Sequence, residues 1–498
     1  MKVLTAAEMR EVDRRTIEMG TPGIVLMENA AHRVVEFLAE RFAPLAAQRI
    51  VVLCGKGNNG GDGMAVARQL FTRFRPRRLD VVLLADPAAL KGDAATNHKM
   101  LEVCGCPVGR EIPAEARMAT LVIDALLGTG ITGAATGALL EAIREINQGF
   151  PLAKVVAVDL PSGMPTDTGE PVGEWARADA SVTFTAPKLA HVMPPNCDHV
   201  GELRVEPIGS PASLYEQARL ALVEPAMFRS LLAPRAPSGH KGTYGHVLVV
   251  AGSPGKTGAA RMSGLAALRA GAGLVTVASR ARDLPLAPEL MSGSLEDTGL
   301  AALAEGKTVI AMGPGLGRDA TTEKLVSDAI RDFHGPMVLD ADALEDREYG
   351  GGAPRILTPH PGEMGRLTGK STAEIQKDRI EAARGYATAR GCTLVLKGQR
   401  TLLAFADGRV WINPTGTPAM GTGGSGDVLT GLVAGFLAQF PKEPDEAVAA
   451  AVYLHGLAGE LGARALGEKS LIATDILRYL PRALETAVEA CAGLPDGI

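Results

Sequence analysis

RIVVLCGKGNNGGDG, running from Arg49 to Gly63, is the stretch that most clearly indicates the fold of this chain. Its β-branched and aliphatic run ends at Cys54, and a glycine-rich segment follows without a break. A strand that runs directly into a glycine loop is typical of a βα unit, in which the loop lies at the carboxyl end of a parallel strand. The stretch therefore predicts an α/β fold.

The same pattern recurs along most of the chain, because short β-branched runs alternate with alanine-rich stretches that favour helix. In the second half, one such helix is expected from about Ala260 to Ala270. This alternation predicts parallel sheets built from βα units. The clearest strands are Arg49–Cys54, Leu79–Asp86, Thr120–Ala125 and Lys154–Leu160 in the first half, and Gly245–Gly252, Thr308–Gly313, Pro336–Asp342 and Thr393–Gly398 in the second.

The length of 498 residues favours two domains, since one core seldom serves so long a chain. Strand patterns stop between Pro207 and Thr243, where proline recurs and one amphipathic piece stands in the middle. Such a segment is typical of a domain boundary, which we expect near residue 220. The predicted domains are residues 1–215 and 222–498.

Composition excludes several classes of function. The chain has 56 acidic and 51 basic residues, a net charge of −5, and no basic block of the kind that nucleic-acid binding requires. The N-terminus becomes charged within a dozen residues, and no apolar run approaches the roughly 20 residues that span a bilayer. The six cysteines match no zinc pattern and suit a reducing compartment. We expect a cytoplasmic enzyme that binds neither membrane nor nucleic acid.

The loop after the first strand admits two interpretations. Gly55 to Gly60 fits the G-x-G-x-x-G fingerprint of dinucleotide-binding dehydrogenases, with Asp80 and Asp86 at plausible distances for a ribose-binding acid. The continuation Asn58 to Asp62, however, adds polar side chains where that fingerprint requires none.

Polar residues also follow two later strands of the first half. Asp124 ends one predicted strand, Asp159 ends the next, and Ser162 follows shortly after. Each aspartate alone is explained as a turn cap. Because the carboxyl ends of parallel strands meet at one edge of a sheet, the three loops together favour a functional site.

The second half carries phosphate-type loops without a P-loop. The segment from Gly252 to Gly258 contains Gly-Lys-Thr, but the P-loop pattern requires glycine where Val250 stands. His360 lies between two prolines, which stiffen its loop. In MGTGGSGDVLTG, Met420 to Gly431, glycine amides and a helix N-terminus can receive an anion, while Asp427 can act as a base toward an attacking hydroxyl.

Three motifs of the first half together resemble the NAD(P)H-hydrate epimerase domain: NNGGDG, DALLGTG and VDLPSG, in this order over most of residues 1 to 210. The resemblance implies a Rossmann-like three-layer sandwich that interconverts the R and S epimers of hydrated NADH or NADPH at C6 of the nicotinamide ring. It further implies that Asp159 faces the substrate, where we take it as the acid/base, and that Asn59, Asp124 and Ser162 hold a potassium ion. The implied substrate contacts are Asn58, Asn59, Gly60, Gly61, Asp62, Gly128, Thr129, Gly130, Ile131, Thr132, Gly133, Ala134 and Asp159.

The second half resembles the NAD(P)H-hydrate dehydratases of the ribokinase-like superfamily, over about Ala226 to Leu480. The motifs are GTGGSGDVLTG, GPGLG at Gly313, DADAL at Asp340, TPHPGEM at Thr358 and KGQRT at Lys397. By this resemblance, Asp427 is the catalytic base, magnesium accompanies the phosphates, and ADP or ATP is the phosphate donor. The implied substrate contacts are Ala259, Gly315, His360 and Asp427, and the implied nucleotide contacts are Lys397, Gly398, Gln399, Arg400, Thr401 and Gly426.

Taken together, the halves resemble the bifunctional NAD(P)H-hydrate repair enzymes, in which epimerase and dehydratase share one chain. Two rivals stay open at this point. A ribokinase-superfamily kinase for a small alcohol such as a vitamin precursor accounts for Asp427 but not for residues 1 to 210. Alternatively, the first half is a ligand-binding module without chemistry of its own. We also expect a homo-oligomer; the alanine-rich helices suit subunit packing as readily as the core.

Overall fold

The computed structural model describes residues 1–130, 133–168, 172–350 and 352–492. The chain forms two compact units, Met1–Arg219 and Leu220–Ile498. Among the described helices, none combines the length and the apolar character needed to cross a membrane.

The first unit is built around a parallel sheet of seven strands within the described residues. The strands of this unit are β1 (Lys2–Val3), which lies outside the seven-stranded sheet, β2 (Arg49–Cys54), β3 (Arg78–Leu83), β4 (Val108–Gly109), β5 (Leu121–Ala125), β6 (Lys154–Val158), β7 (Ala180–Phe184) and β8 (Glu202–Glu206). Its helices are α1 (Ala6–Glu18), α2 (Gly23–Arg41), α3 (Asn58–Gln69), α4 (Gly92–Val103), α5 (Gly137–Gln148) and α6 (Leu189–Val192). The sheet runs in the order β4-β3-β2-β5-β6-β7-β8.

Both faces of this sheet are covered, which is why its strands read as continuous apolar runs. Along β2, Ile50 and Val52 pack into the core on one face, while Val51 and Leu53 pack into the core on the other. The architecture is therefore the predicted three-layer α/β sandwich, and the loops after β2, β5 and β6 emerge side by side at one edge.

The second unit holds a longer sheet. Its strands are β9 (Leu220–Leu222), β10 (His246–Val250), β11 (Leu274–Ser279), β12 (Met291–Ser294), β13 (Val309–Met312), β14 (Met337–Leu339), β15 (Arg355–Leu357), β16 (Thr393–Leu396), β17 (Leu402–Ala404) and β18 (Val410–Ile412). Its helices are α7 (Thr257–Arg269), α8 (Leu300–Ala304), α9 (Ala320–Asp332), α10 (Pro361–Thr368), α11 (Thr372–Lys377), α12 (Arg379–Arg390), α13 (Ser425–Gln439), α14 (Pro444–Leu466) and α15 (Ala473–Ala492). The order within this unit is β9-β18-β17-β16-β15-β14-β13-β10-β11-β12.

Helix α13 is central to this unit and crosses α7 closely. A Cβ atom added at Gly431 would lie 2.1 Å from the carbonyl oxygen of Ser263, and one added at Gly435 would lie 2.5 Å from that of Ala267. Glycine at these two positions thus lets the helix backbones approach to a distance that any side chain would prevent.

The predicted α/β class is confirmed, and the eight predicted strands all exist, but some details of the sequence analysis were wrong. Strands were expected to be parallel throughout, whereas β17 pairs antiparallel with both β16 and β18. No strand was expected between Pro207 and Thr243, yet β9 lies there, because three apolar residues are too few to show a pattern. The helix expected from Ala260 begins at Thr257.

Candidate active sites

Two loops of the first unit are packed so closely that only glycine fits between them. A Cβ atom at Gly55, directly after β2, would lie 1.9 Å from the carbonyl oxygen of Leu126, which follows β5. A Cβ atom at Gly60 would lie 1.9 Å from the carbonyl oxygen of Gly55. Gly55 therefore brings the loop after β2 against the loop after β5, and Gly60 of NNGGDG brings the start of α3 against Gly55, as a shared site requires.

Asn59, Asp124 and Ser162 are all buried at this edge of the sheet. The hydroxyl of Ser162 donates to Oδ1 of Asp124 at 2.5 Å, and the backbone N–H of Ser162 donates to Oδ2 at 2.8 Å. Burial raises the pKa of Asp124 to about 6, although these bonds from Ser162 oppose the rise. The side-chain amide of Asn59 is 7% exposed, and neither its oxygen nor its nitrogen has a partner in the described residues.

The predicted substrate segments lie beside these residues. Asn58 to Asp62 form the first turns of α3, whose N-cap Gly57 supplies no side-chain hydrogen bond, so the first amides of the helix keep no capping partner. A Cβ atom at Gly128 would lie 3.3 Å from Cβ of Asn59, which brings the second segment against the first. Of the segment from Gly128 to Ala134, Ile131 and Thr132 lie outside the described residues.

Asp159 is held by a buried lysine that the sequence analysis did not single out. Lys188 is 2% exposed, and its Nζ donates to Oδ1 of Asp159 at 2.7 Å. Burial raises the pKa of Asp159, but the charge and hydrogen bond of Lys188 more than offset this, so the net pKa lies below its ordinary value. Asp159 therefore stays ionised at neutral pH.

Asp13 and Asp62 add two more carboxyl groups near Asp159. Burial raises the pKa of Asp62 well above its ordinary value, and the charges of Asp159 and Asp13 add to the rise. Burial likewise raises the pKa of Asp13 to about 6, with Lys188 acting in the opposite direction. The site thus combines one carboxylate whose pKa is lowered with neighbouring carboxyl groups whose pKa values are raised, which is the kind of environment that separates a base from an acid.

The dehydrogenase interpretation receives no support from Asp80 or Asp86. Both oxygens of Asp80 accept hydrogen bonds from the guanidinium of Arg78, at 2.6 and 2.9 Å. Asp86 caps a short helical turn by accepting from the N–H of Ala88 at 3.1 Å. Asp80 is thus engaged within the protein, while Asp86 is exposed and serves as a turn cap.

In the second unit, the loop after β10 contacts the GPGLG loop after β13. The hydroxyl of Ser253 donates to the carbonyl oxygen of Gly315 at 2.8 Å, and a Cβ atom at Gly315 would lie 3.2 Å from Cβ of Ala259. In the same loop, a Cβ atom at Gly313 would lie 1.8 Å from the carbonyl oxygen of Asp340. Ala259, Gly315 and the DADAL motif therefore belong to one cluster.

Asp427 lies in the first turn of α13 but does not cap it. The N-cap is Gly424, with φ of 94°, and it supplies no side-chain bond. Within the described residues the carboxylate of Asp427 accepts no hydrogen bond, while its backbone oxygen accepts one from Ser263 at 2.9 Å. Burial raises the pKa of Asp427 to about 6, the charge of Asp340 adds to this rise, and Lys397 opposes it. A carboxylate with a free oxygen and such a pKa suits a general base.

Lys397 directly follows β16, and its side chain reaches the start of α13 at Gly426. Its Nζ donates to Oδ1 of Asp340 at 2.8 Å, and Thr430 of α13 donates to the other oxygen of Asp340 at 2.8 Å. A Cβ atom at Gly426 would lie 3.3 Å from the same Nζ. Lys397, Gly426 and Asp427 are therefore brought together.

His360 caps a helix, and its side chain is nevertheless exposed. Its Nδ1 accepts from the N–H groups of Gly362 and Glu363, and Glu363 accepts in turn from the N–H of His360 at 2.8 Å, so the pair caps α10. Glu363 also lies 3.8 Å from Lys397. With its side chain 57% exposed, the imidazole of His360 remains open to a ligand.

Arg379 supports the KGQRT loop through hydrogen bonds to backbone carbonyl oxygens. The sequence analysis missed this residue. The guanidinium of this buried arginine donates to the carbonyl oxygens of Gln399, Leu396 and Lys397, at 2.5, 3.2 and 3.4 Å. Burial lowers the pKa of Arg379 to about 10. Nothing in the sequence distinguishes Arg379 from the many arginines that begin or end exposed helices.

Metal-binding clusters of three or more His, Cys, Asp or Glu residues are absent from the described parts of the chain. All six cysteines are free thiols, and all but Cys104 are buried.

Comparison with known proteins identifies both units. Residues 247–482 match the family model described as NAD(P)H-hydrate dehydratase, and residues 23–190 match the model described as YjeF-related protein N-terminus. A protein of Moorella thermoacetica named bifunctional NAD(P)H-hydrate repair enzyme is 44% identical over 99% of both chains. The Escherichia coli protein of the same name is 35% identical over 89% of this chain and 86% of its own.

A solved structure matches the second unit. The ADP/ATP-dependent NAD(P)H-hydrate dehydratase of Bacillus subtilis, co-crystallised with ATP and Mg²⁺, is 36% identical, with a TM-score of 0.50. The match covers 54% of this chain and 98% of that one.

Proposed function

The chain belongs to the family of bifunctional NAD(P)H-hydrate repair enzymes, and we propose that it carries out both reactions of that name. The first unit, corresponding to the predicted domain 1–215, epimerises the R and S forms of hydrated NADH or NADPH. The second, corresponding to 222–498, dehydrates the S form at the expense of ADP or ATP. One chain thus converts both epimers of the damaged cofactor back to NAD(P)H, because the epimerase turns the unreactive R form into substrate.

The observation that carries the dehydratase assignment is the free carboxylate of Asp427 at the start of α13, beside the ammonium of Lys397. Asp427 takes the proton of the C6 hydroxyl as that oxygen attacks the terminal phosphorus of the nucleotide. When ADP is the donor, the nucleotide product is AMP, and when ATP is the donor, it is ADP. Departure of phosphate from C6, with loss of a proton from C5, restores the C5–C6 double bond of the ring.

Lys397, Gly398, Gln399, Arg400, Thr401 and Gly426 hold the nucleotide in this proposal. The first amides of α13 and the ammonium of Lys397 provide positive charge where phosphate accumulates negative charge. Ala259, Gly315 and His360 line the part of the site that binds hydrated NADH or NADPH. The relative from Bacillus subtilis was crystallised with ATP and Mg²⁺, which supports the same requirement here. Mg²⁺ is bound mainly through substrate phosphates in such sites, and no dedicated protein cage is needed.

For the first unit, we propose that Asn59, Asp124 and Ser162 hold a potassium ion. The fit is supported by the unpartnered amide of buried Asn59 and by the oxygen chemistry of all three side chains. The ion supplies positive charge beside the substrate. Asn58 to Asp62 and Gly128 to Ala134 contact the nucleotide, and Asp159 is the acid/base.

A coupled assay on the intact protein tests the proposal. A mixture of both epimers of hydrated NADH is given with ADP or ATP in turn, and NADH absorbance and free phosphate are followed. Full conversion of the mixture, with one phosphate released per NADH, is the expected result. A stable phosphorylated product without restored absorbance would instead support the small-alcohol kinase. Conversion of only the S fraction would mean that the first unit is a binding module.

A further inference from the structure

We propose that Asp159 and Asp62 are the two proton-transfer groups of the epimerase site, and that Lys188 is a positioning residue. Lys188 fixes the orientation of the Asp159 carboxylate toward the substrate. This inference rests on the proposed epimerase function of the first unit. It goes beyond that function by naming a second catalytic carboxyl and the residue that controls the first.

The contacts of Lys188 leave it no other role. Its ammonium donates to Oδ1 of Asp159 at 2.7 Å, to Oγ1 of Thr183 at 2.8 Å and to the carbonyl oxygen of Phe184 at 3.2 Å. A lysine ammonium has three protons, so all of them are used. The hydroxyl of Thr183 also donates to Oδ1 of Asp159, at 2.8 Å.

These bonds involve only one of the two carboxylate oxygens of Asp159. Oδ1 receives hydrogen bonds from both Lys188 and Thr183, whereas Oδ2 receives none from the described residues. A carboxylate that is anchored through one oxygen keeps its orientation while it offers the other to a ligand. The side chain is 14% exposed, so part of it is reachable from solvent, and Oδ2 is the oxygen left free for a ligand.

The backbone of Asp159 is fixed as well. Its φ is 63°, a left-handed conformation that non-glycine residues seldom adopt. The carbonyl oxygen of Asp159 accepts from Nε2 of His191 at 2.8 Å, and Nδ1 of His191 accepts from the N–H of Lys188 at 2.9 Å. Burial, aided by the charge of Lys188, lowers the pKa of His191 to about 4, so this ring is a neutral bridge at physiological pH.

Asp62 is the complementary group. It lies in α3, on the predicted substrate segment, and its carboxyl makes no hydrogen bond to the described residues. The charged groups that act on it are Asp159, Asp13 of α1, Glu28 of α2 and Lys188. Burial and the three carboxylates raise the pKa of Asp62, whereas that of Asp159 is lowered, so of the two groups Asp62 is the better proton donor and Asp159 the better acceptor.

The chemistry of C6 explains why two such groups are needed. In the hydrated ring C6 carries both the ring nitrogen and a hydroxyl, and it can therefore exchange its oxygen. Asp62 gives its proton to the hydroxyl, the C6–O bond breaks to release water, and the nitrogen lone pair forms a C6=N bond. A water molecule then adds to the opposite face of C6 and loses a proton to Asp159. One proton enters and one leaves, and the carboxyl groups return to their starting states through solvent.

The experiment uses the full-length chain carrying Asp427→Ala, so that dehydration does not consume the product. Pure R epimer is supplied and the appearance of S epimer is followed by chromatography over a range of pH. We expect kcat to fall about 100-fold or more in both Asp62→Asn and Asp159→Asn, the range typical of a lost acid or base. Asp62→Asn is isosteric and removes an unfavourably buried carboxyl, so it is expected to fold.

Lys188→Met tests the positioning role by its pH profile. Without the ammonium, the pKa of Asp159 rises, so the acid limb of the profile moves to higher pH, whereas Lys188→Arg keeps the limb near its original place. The control is Lys154→Met, which removes an exposed lysine that pairs with Asp179 at 2.7 Å in the same unit. If Lys188→Met does not fold, Thr183→Val, which removes one bond to Oδ1, is measured for the same upward movement.

Each outcome decides something. Normal kcat in Asp62→Asn would overturn the two-carboxyl assignment, and an unmoved acid limb in the lysine or threonine variant would overturn the positioning role. Absence of epimerisation in the parent chain would overturn the proposed function itself, which is a different result from either.

Discussion

The ammonium of Lys397 lies 2.8 Å from Oδ1 of Asp340, and a Cβ atom at Gly426 would lie 3.3 Å from that ammonium. Asp340 is 2% exposed, so this ion pair is buried against the loop that carries Asp427. Its two members act oppositely on the base, since Asp340 raises the pKa of Asp427 and Lys397 lowers it. If Asp427 is the base, as proposed, this pair helps to set the pH at which it is ionised.

Replacement of Asp340 by Asn should move the acid limb of dehydration to lower pH. The wild-type limb is expected near the Asp427 pKa of about 6, because the base acts only when ionised. Loss of the Asp340 charge leaves Lys397 acting on Asp427 alone, which lowers that pKa. The measurement is kcat/KM for S epimer against pH, and an unchanged limb would contradict the electrostatic account.

Asp427→Ala should fold, bind nucleotide and lose dehydration by about 100-fold or more. It should also be more stable than the wild type at pH 8, by roughly 1 kcal/mol after allowance for partial exposure. A folded pKa raised from 3.8 to about 6 means that stability present at low pH is lost as pH rises from about 4 to 6. Denaturant unfolding at pH 8 and pH 4 checks this, as the gain should vanish at pH 4. Dehydration at a near-normal rate would refute Asp427 as the base.

Asn59→Ala should abolish stabilisation of the protein by potassium. A ligand that binds only the folded state at about 100 times its dissociation constant stabilises by about 2.7 kcal/mol. Thermal unfolding is compared in KCl and in choline chloride of equal ionic strength. Asn97→Ala is the matched control, because Asn97 is also a buried amide without described partners in the same unit. An equal KCl effect in both variants would exclude Asn59 as a ligand.

Arg379→Met should raise the KM for ADP or ATP about tenfold or more and leave the KM for S epimer near its wild-type value. Three carbonyl groups that shape the KGQRT loop lose their donor, whereas the Ala259 and Gly315 side is untouched. Arg390→Met serves as control, since this arginine of the same helix pairs with Asp346 at the surface. Equal rises in both KM values would indicate general unfolding of the site rather than a loop effect.

Gly431→Ala should destabilise the second unit by about 1–3 kcal/mol, because its methyl group would lie 2.1 Å from the carbonyl oxygen of Ser263. Gly385→Ala, at an exposed position of α12, should stabilise by about 0.5–1 kcal/mol, since the nearest atom is 3.8 Å away and alanine favours helix. Denaturant unfolding should therefore give opposite signs for the same chemical change. Equal signs would mean that the crossing of α7 and α13 adapts to a side chain.

Sequence patterns predicted the strands well where both faces are buried, as in β2, because such strands must be continuously apolar. They failed for β9 and for the antiparallel β17, where three residues carry too little information. Asp427 was predicted as a site residue because glycines surround it in the sequence. Lys188 was missed although it follows the end of β7 by four residues, since β7 was not among the strands predicted from the sequence.

Other site residues gave no signal that sequence could show. Asp13 lies on an ordinary amphipathic helix, and its effect on Asp62 arises only when α1 folds against distant parts of the chain. Arg379 reads as a solvated charge at a helix start, yet it is buried. Burial of a charge depends on tertiary packing, so it is the property that one sequence reveals least.

The close crossing of α7 and α13 has a consequence for motion. In the proposed dehydratase site the first amides of α13 receive the phosphate, and this helix is held against α7 where Gly431 and Gly435 closely approach backbone oxygens. A helix packed backbone to backbone has no slack in which to tilt or slide, since interiors of this density transmit displacement rather than absorb it. The proposed anion-binding end of the site is thus rigid. We therefore expect any opening and closing during turnover to occur in the loops that approach it.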